Sequence, residues 1–94
     1  MPDISIILPT YNEAENIQQV IEEVDKALDG YDFEILVVDD DSPAGTSVVV
    51  NKALDRLPRV RLITRKTDKG LVNSIKEGIN KSAGDVCVWM DADL

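Results

Sequence analysis

Histidine is absent from this 94-residue chain, and cysteine, tryptophan and phenylalanine occur once each. Without histidine there is no imidazole base and no imidazole metal ligand among these residues, so a bound cation would be held by oxygen. One cysteine cannot close an internal disulfide, which points to a reducing compartment, the cytoplasm. Cys87 lies in the apolar run Val86–Met90 and is expected to be a buried core thiol. No apolar run approaches the ~20 residues of a membrane-spanning helix. Met1-Pro2-Asp3 carries no basic segment ahead of its apolar run, so no secretory leader is expected. Positive charge is scarce: 10 Lys and Arg stand against 18 Asp and Glu, for a net charge of −8. That balance argues against nucleic acid or an anionic membrane surface as the main partner. It suits a protein that recruits anions locally, through a metal ion and backbone N–H groups.

The length allows one domain, residues 1–94, with little margin for a core. Apolar runs alternate with segments of helical period. Ile4–Leu8 is a short strand closed by Pro9. Asn12-x-x-Glu15 has the form of a capping box, followed by Ile17, Val20, Ile21, Val24 and Leu28 at helical spacing and by Gly30 as a stop. Phe33–Val38 is a second strand that runs into Asp39-Asp40-Asp41. After the turn Ser42–Gly45, a second helix carries Val48, Val49, Leu54 and Leu57 and is closed by Pro58. Val60–Thr64 is a third strand, and a charged loop leads to Gly70. Leu71, Val72, Ile75 and Ile79 mark a third helix ending at Gly84, and Val86–Met90 is a fourth strand.

This β-α-β-α-β-α-β pattern, with strands rich in Ile and Val on both faces, predicts an α/β doubly wound, mostly parallel sheet with helices on both faces. Right-handed crossovers give strand order 3-2-1-4 as the simplest arrangement. The topological switch then lies between strands 1 and 4, where such folds bind ligands outside the carboxyl ends of the strands. The polar clusters occupy those ends. Pro9–Glu13 follows strand 1, Asp39-Asp40-Asp41 follows strand 2, and Asp91-Ala92-Asp93 follows strand 4.

Asp91 and Asp93 are alternate residues in an extended segment, so both carboxylates can face one cation. Hard oxygen ligands suit Mg²⁺ or Mn²⁺ with a phosphate as co-ligand; the bland alternative is a solvated pair of acids. The three consecutive aspartates repel one another unless compensated. One of them can accept from a base edge or a ribose hydroxyl, and Asp41 or Ser42 can instead cap a helix. Tyr11 can stack on a nucleobase or pack over the helix start. Glu13 is the better ligand contact of its pair, because the capping box accounts for Glu15. Lys69-Gly70 opens helix 3 and can meet a phosphate, or can be a solvated lysine beside a turn glycine. Trp89 and Met90 are expected in the core.

Taken together, Pro9-Thr10-Tyr11-Asn12-Glu13, Val37–Pro43 with Gly45-Thr46, Lys69-Gly70-Leu71, Gly84-Asp85 and Asp91–Leu94 resemble the family 2 glycosyltransferases of GT-A fold. The closest group is the polyprenyl-phosphate (dolichol-phosphate) mannosyl- and glucosyltransferases. The resemblance implies an inverting, metal-dependent transfer of a hexose, mannose, from a GDP- or UDP-linked donor to a lipid phosphate. Pro9, Tyr11 and Glu13 would line the nucleobase pocket. Val38 and Asp40 would hold base or ribose, and Lys69 would approach the phosphates. Asp91, Ala92 and Asp93 would sit at the diphosphate, with Asp91 and Asp93 as metal ligands and Asp93 the more direct. Two positions depart from the family's pattern: Ala44 replaces an Asp, and Val72 replaces a Gly after Lys-Gly-Leu. The resemblance also implies a domain that continues well past Asp-x-Asp, so this chain would be the donor-binding part, inactive alone. The full-length family member would meet its acceptor at the cytosolic face of a membrane. An unpaired strand 4 at the sheet edge would favour self-association.

Two alternatives belong to other classes. Ile35–Asp41 looks like the first strand of a phosphoacceptor receiver domain, with Val86–Asp91 as its phosphorylated strand. That reading leaves the βα unit before the acidic strand and Asp93 without a role. The other is a non-catalytic nucleotide-binding module that serves a separate catalytic partner.

Overall fold

The fold is taken from a computed structural model, which describes residues 2–11, 16–40, 46–54, 56–57, 59–67 and 69–91. The elements follow in the order β1 (Ile4–Thr10), α1 (Ile17–Ala27), β2 (Phe33–Asp39), α2 (Thr46–Leu54), β3 (Val60–Thr64), α3 (Leu71–Lys81) and β4 (Val86–Trp89). All strand pairs are parallel, in the order β3-β2-β1-β4. The doubly wound sheet expected from the sequence is therefore the one that forms. The register runs from Ile4↔Phe33 to Thr10↔Asp39 between β1 and β2, and from Ile4↔Val86 to Ile7↔Trp89 between β1 and β4.

Strand periodicity sends alternate side chains to opposite faces. Ile6, Leu8, Ile35, Val37 and Val60 form one core with Ile17, Val20, Ile21 and Val24 of α1 and Val50 of α2. Ile7, Leu36 and Val38 form a second, smaller core on the opposite face, joined by Ile63. Helix α3 packs there, against β1 and β2. Burial on both faces explains why β1 and β2 read as near-continuous apolar runs, interrupted by Ser5 and Glu34.

Helix α3 departs from expectation in two ways. Leu71, Val72 and Ile79 are exposed, and the residues turned to the sheet are Ser74 and Gly78. A Cβ at Gly78 would lie 2.6 Å from Ile7 Cγ2, so the helix sits closer to β1 than a side chain would allow. Its end is also earlier. It stops at Lys81, where the Ser82 hydroxyl donates to the Ile79 carbonyl at 2.7 Å and the backbone turns extended. Gly84 is thus not the helix stop.

Strand β4 overturns a further expectation. Cys87 and Met90 are exposed, and Trp89 is 48% exposed. The reason is topological: β4 is an edge strand, and α3 covers β1 and β2 instead of β4. Helix α2 ends at Leu54, short of the Leu57 expected from the apolar spacing. The capping box on Asn12 and Glu15 lies outside the described residues. Helix α1 is described from Ile17, with Asn16 at its N-cap and no side-chain cap bond.

Candidate functional site at the switch between β1 and β4

The site begins with a proline in a central strand. The carbonyls of Asp3 and Ile7 accept from Val86 and Met90 of the β4 segment, whereas the Thr10 carbonyl accepts from Asp40. Odd-numbered residues of β1 thus direct their main chain toward β4. Pro9 falls in that set and has no N–H to give, which ends the ladder. The last β1–β4 pair is Ile7↔Trp89, and the Met90 N–H to Ile7 carbonyl bond of 3.1 Å closes it. Beyond it the two strands are free to part. Asp91 leaves β4 there, two residues past Trp89 and so level with Pro9. It is exposed, and no hydrogen bond or ion pair to its carboxylate is formed among the described residues.

The acids after β2 behave differently. Thr10 Oγ1 donates to Asp39 Oδ1 at 2.8 Å, tying the ends of β1 and β2 together. Asp40 Oδ2 accepts from the Gly70 N–H at 2.8 Å, and Oδ1 accepts from the Ser74 hydroxyl at 2.7 Å. Arg65 Nε lies 3.9 Å from the same carboxylate. Arg65 also reaches Glu77 at 3.2 Å and donates to the Asn73 carbonyl at 2.6 Å. Asp40 therefore sits at the N-terminus of α3, where a carboxylate satisfies an orphan N–H and complements the dipole. Gly70, at φ 127, turns that N–H toward it in a conformation that side chains rarely adopt. The Gly70 N–H offered to a phosphate in the sequence reading is thus taken by Asp40.

The expected site residues divide accordingly. Pro9 and Val38 are buried, and the Val38 side chain belongs to the smaller core. What Val38 can offer a ligand is its main chain. Asp40 is 8% exposed, with its carboxylate engaged as above. Tyr11, 54% exposed, stands just past β1, and Lys69 is exposed beside the Gly70–Asp40 contact. Glu13, Ala92 and Asp93 lie outside the described residues. Among the described residues, no group of three or more acidic or cysteine side chains is gathered as a cation site. An apolar groove of about 360 Å³ runs between α1 and the end of β4, with Val20, Val24, Leu28 and Met90 in its walls and Asp91 at its rim.

Sequence reasoning passed over the partners that hold these acids. Ser74 and Arg65 act on Asp40 from 34 and 25 residues away in sequence, which no local pattern reveals. One further group was missed although a signal was present: Glu34, an acid within the apolar run of β2, marks a buried polar network. Glu34 Oε2 accepts from the Ser5 hydroxyl and the Ala83 N–H, both at 2.6 Å, and Oε1 accepts from Arg61 at 2.8 Å. Burial on its own raises the Glu34 pKa. The bonds from Ser5, Ala83 and Arg61, with the Arg61 charge, outweigh that and hold it below its ordinary value.

The sequence pattern described as Glycosyl transferase family 2 matches residues 5–94. The chain belongs to this family. Among curated relatives of this family 2 chain is a dolichol-phosphate mannosyltransferase of Pyrococcus furiosus, 44% identical over 91 residues. The match covers 97% of this chain and 26% of that protein. A dolichyl-phosphate beta-glucosyltransferase of Dictyostelium discoideum is 29% identical over 96% of this chain and 30% of its own length. The chain thus spans less than a third of these relatives. Among solved structures, the mannosyltransferase PcManGT from Pyrobaculum calidifontis, in complex with GDP-Man and Mn²⁺, superposes with a TM-score of 0.86 at 27% identity. That superposition covers 99% of this chain and 30% of PcManGT. TarS of S. aureus in complex with UDP-GlcNAc gives a TM-score of 0.81 at 25% identity, over 97% of this chain and 26% of TarS. The receiver-domain alternative is set aside by family membership.

Proposed function

We propose that this chain is the donor-binding part of an inverting, metal-dependent glycosyltransferase that moves mannose from a GDP-linked donor to a polyprenyl phosphate. The observation that carries the reading is the exposed Asp91, leaving β4 level with Pro9 where the β1–β4 ladder ends. A doubly wound sheet binds its ligand at this crevice. The Pyrococcus relative supports mannose and the lipid phosphate, and the PcManGT complex supports GDP and a divalent cation.

The residues fit such a cation. The chain offers carboxylates and no histidine, and a hard cation takes oxygen ligands with phosphate as co-ligand. Asp91 and Asp93 would hold it, and its charge would offset the charge gathering on the departing diphosphate. Tyr11 offers an exposed ring face to the nucleobase. The main chain at Pro9 and Val38, with Glu13, would border the base and ribose. Asp40 keeps the start of α3 against that border, and Lys69 stands beside it for the phosphates. Ala92, between the two ligands, would bring its main chain to the diphosphate. A phosphate acceptor arrives already ionised, with a second pKa of about 6, so no deprotonating side chain is needed in this part. A lipid-linked acceptor would bring the full-length protein to a membrane, at its cytosolic face in this reading. No described helix is itself long and apolar enough to cross one.

Isothermal titration of the 94-residue chain with GDP and with UDP, each with and without Mn²⁺, tests the reading. Metal-dependent binding of GDP, lost in Asp93→Ala, is the expected result. A folded chain that binds neither nucleotide contradicts a donor site built from these residues alone.

A further inference from the structure

Strand β4 poses a register problem. It pairs over four residues, on one side only, and it is exposed on both faces. Val86 and Val88 point one way, Cys87 and Trp89 the other, so both faces are apolar. Register is strongly specified where one face of a strand is buried, and a slip of one residue exchanges the faces. Burial does not choose between registers here. Yet the register decides whether Asp91 emerges level with Pro9.

The groups that do choose lie at the amino end of the sheet. Glu34 faces Ser5 across β1–β2, and Ser5 faces Cys87 across β1–β4. Glu34 receives the Ala83 N–H, and the Ser5 hydroxyl receives the Gly84 N–H at 2.8 Å while donating to Glu34. Arg61 pairs with Glu34 and reaches the Lys81 carbonyl at 3.3 Å. Consecutive N–H groups of the α3–β4 corner are thus held by one buried carboxylate–hydroxyl pair. Shape reinforces the bonds: a Cβ at Gly84 would lie 2.6 Å from Ser5 Oγ and 2.7 Å from Ser5 N. A one-residue slip would bring a side chain into that contact and unpair both N–H groups.

We propose that Glu34, acting directly on Ala83 and through Ser5 on Gly84, is the positioning residue that fixes the register of β4 and so delivers Asp91 to the crevice beside Pro9. Its consequence for metal binding rests on the donor-site reading above. Its consequence for β4 does not.

The test uses the 94-residue chain, with Glu34→Ala and Glu34→Gln beside wild type. Amide hydrogen exchange is followed by NMR at Val86 of β4 and Met90 just past it, and at Leu36 and Val37 in β2, and Mn²⁺ binding is titrated in the presence of GDP. Glu34→Ala is expected to speed exchange at Val86 and Met90 by about tenfold while β2 keeps its protection. Mn²⁺ binding is expected to weaken by about tenfold, as for loss of a group that orients a metal ligand. Glu34→Gln retains an acceptor for Ser5 and Ala83 and is expected to restore most of both. Exchange that rises equally in β2 and β4, or that does not change, overturns the proposal. So does a glutamine variant no better than alanine. If wild type itself binds no Mn²⁺ with GDP, the donor reading fails and the register proposal is decided on exchange alone. Should Glu34→Ala not fold, Ser5→Ala removes two bonds of the same latch, to Glu34 and from the Gly84 N–H, and carries the same expectations.

Discussion

Strands β2 and β4 are alike in sequence and opposite in situation. Each is a short apolar run followed by acids: Phe33–Asp39 then Asp40, and Val86–Trp89 then Asp91. Every residue of β2 is buried, and every residue of β4 is exposed. The acids follow suit. Asp39 and Asp40 are engaged with Thr10, Gly70, Ser74 and Arg65, whereas Asp91 stands in solvent. A buried carboxylate has to be matched by donors, and donors that match it bind it into the fold. The difference separates two uses of one motif. The acids at the end of β2 hold the sheet and α3 together, and the acid after β4 is left in solvent, as the proposed donor site requires.

The largest effect should come from Asp40. Asp40→Ala removes the acceptor of the Gly70 N–H and the Ser74 hydroxyl, together with a charge facing the buried Arg65. A loss of about 3–5 kcal/mol in urea unfolding is expected, as for breaking a buried pair from one side. A loss close to zero would mean that this network adds nothing to the fold. Next comes a matched pair of core deletions. Leu36→Ala in β2 should cost about 2–5 kcal/mol. Val88→Ala in β4 should stay within about 0.5 kcal/mol, because its side chain is already exposed. Equal costs for the two would erase the contrast between the strands.

Much of this was legible in the sequence because the strands are strongly patterned. Runs such as Phe33–Val38 and Ile4–Leu8, separated by helix-period segments, point to a parallel sheet, and right-handed crossovers make 3-2-1-4 its simplest order. What failed was burial at the edge. Val86–Met90 reads as apolar as β2, and nothing within the run says that α3 packs over β1 and β2 instead. The face that α3 turns to the sheet was not legible for a related reason. Its contact is made by Ser74 and Gly78, chosen for close approach and for Asp40, and hydrophobicity does not mark either. The positions of Pro9, Tyr11, Asp40 and Asp91 at the carboxyl edge were legible. The role of Asp40 was not, because Gly70 and Ser74 lie 30 and 34 residues away. Glu34 was the missed signal: an acid inside a buried strand calls for partners, and Ser5 stands opposite it in the register.

The most direct measurement sets Asp91→Asn beside Asp40→Asn, in urea unfolding and in titration of GDP with Mn²⁺. Asp40→Asn should lose about 1–3 kcal/mol of stability, the cost of a buried polar group left imperfectly matched. Asp91→Asn should unfold within about 0.5 kcal/mol of wild type and lose metal-dependent GDP binding. An Asp91 variant as destabilised as the Asp40 variant, or one that binds GDP and Mn²⁺ as wild type does, would contradict the division of labour between the two acids.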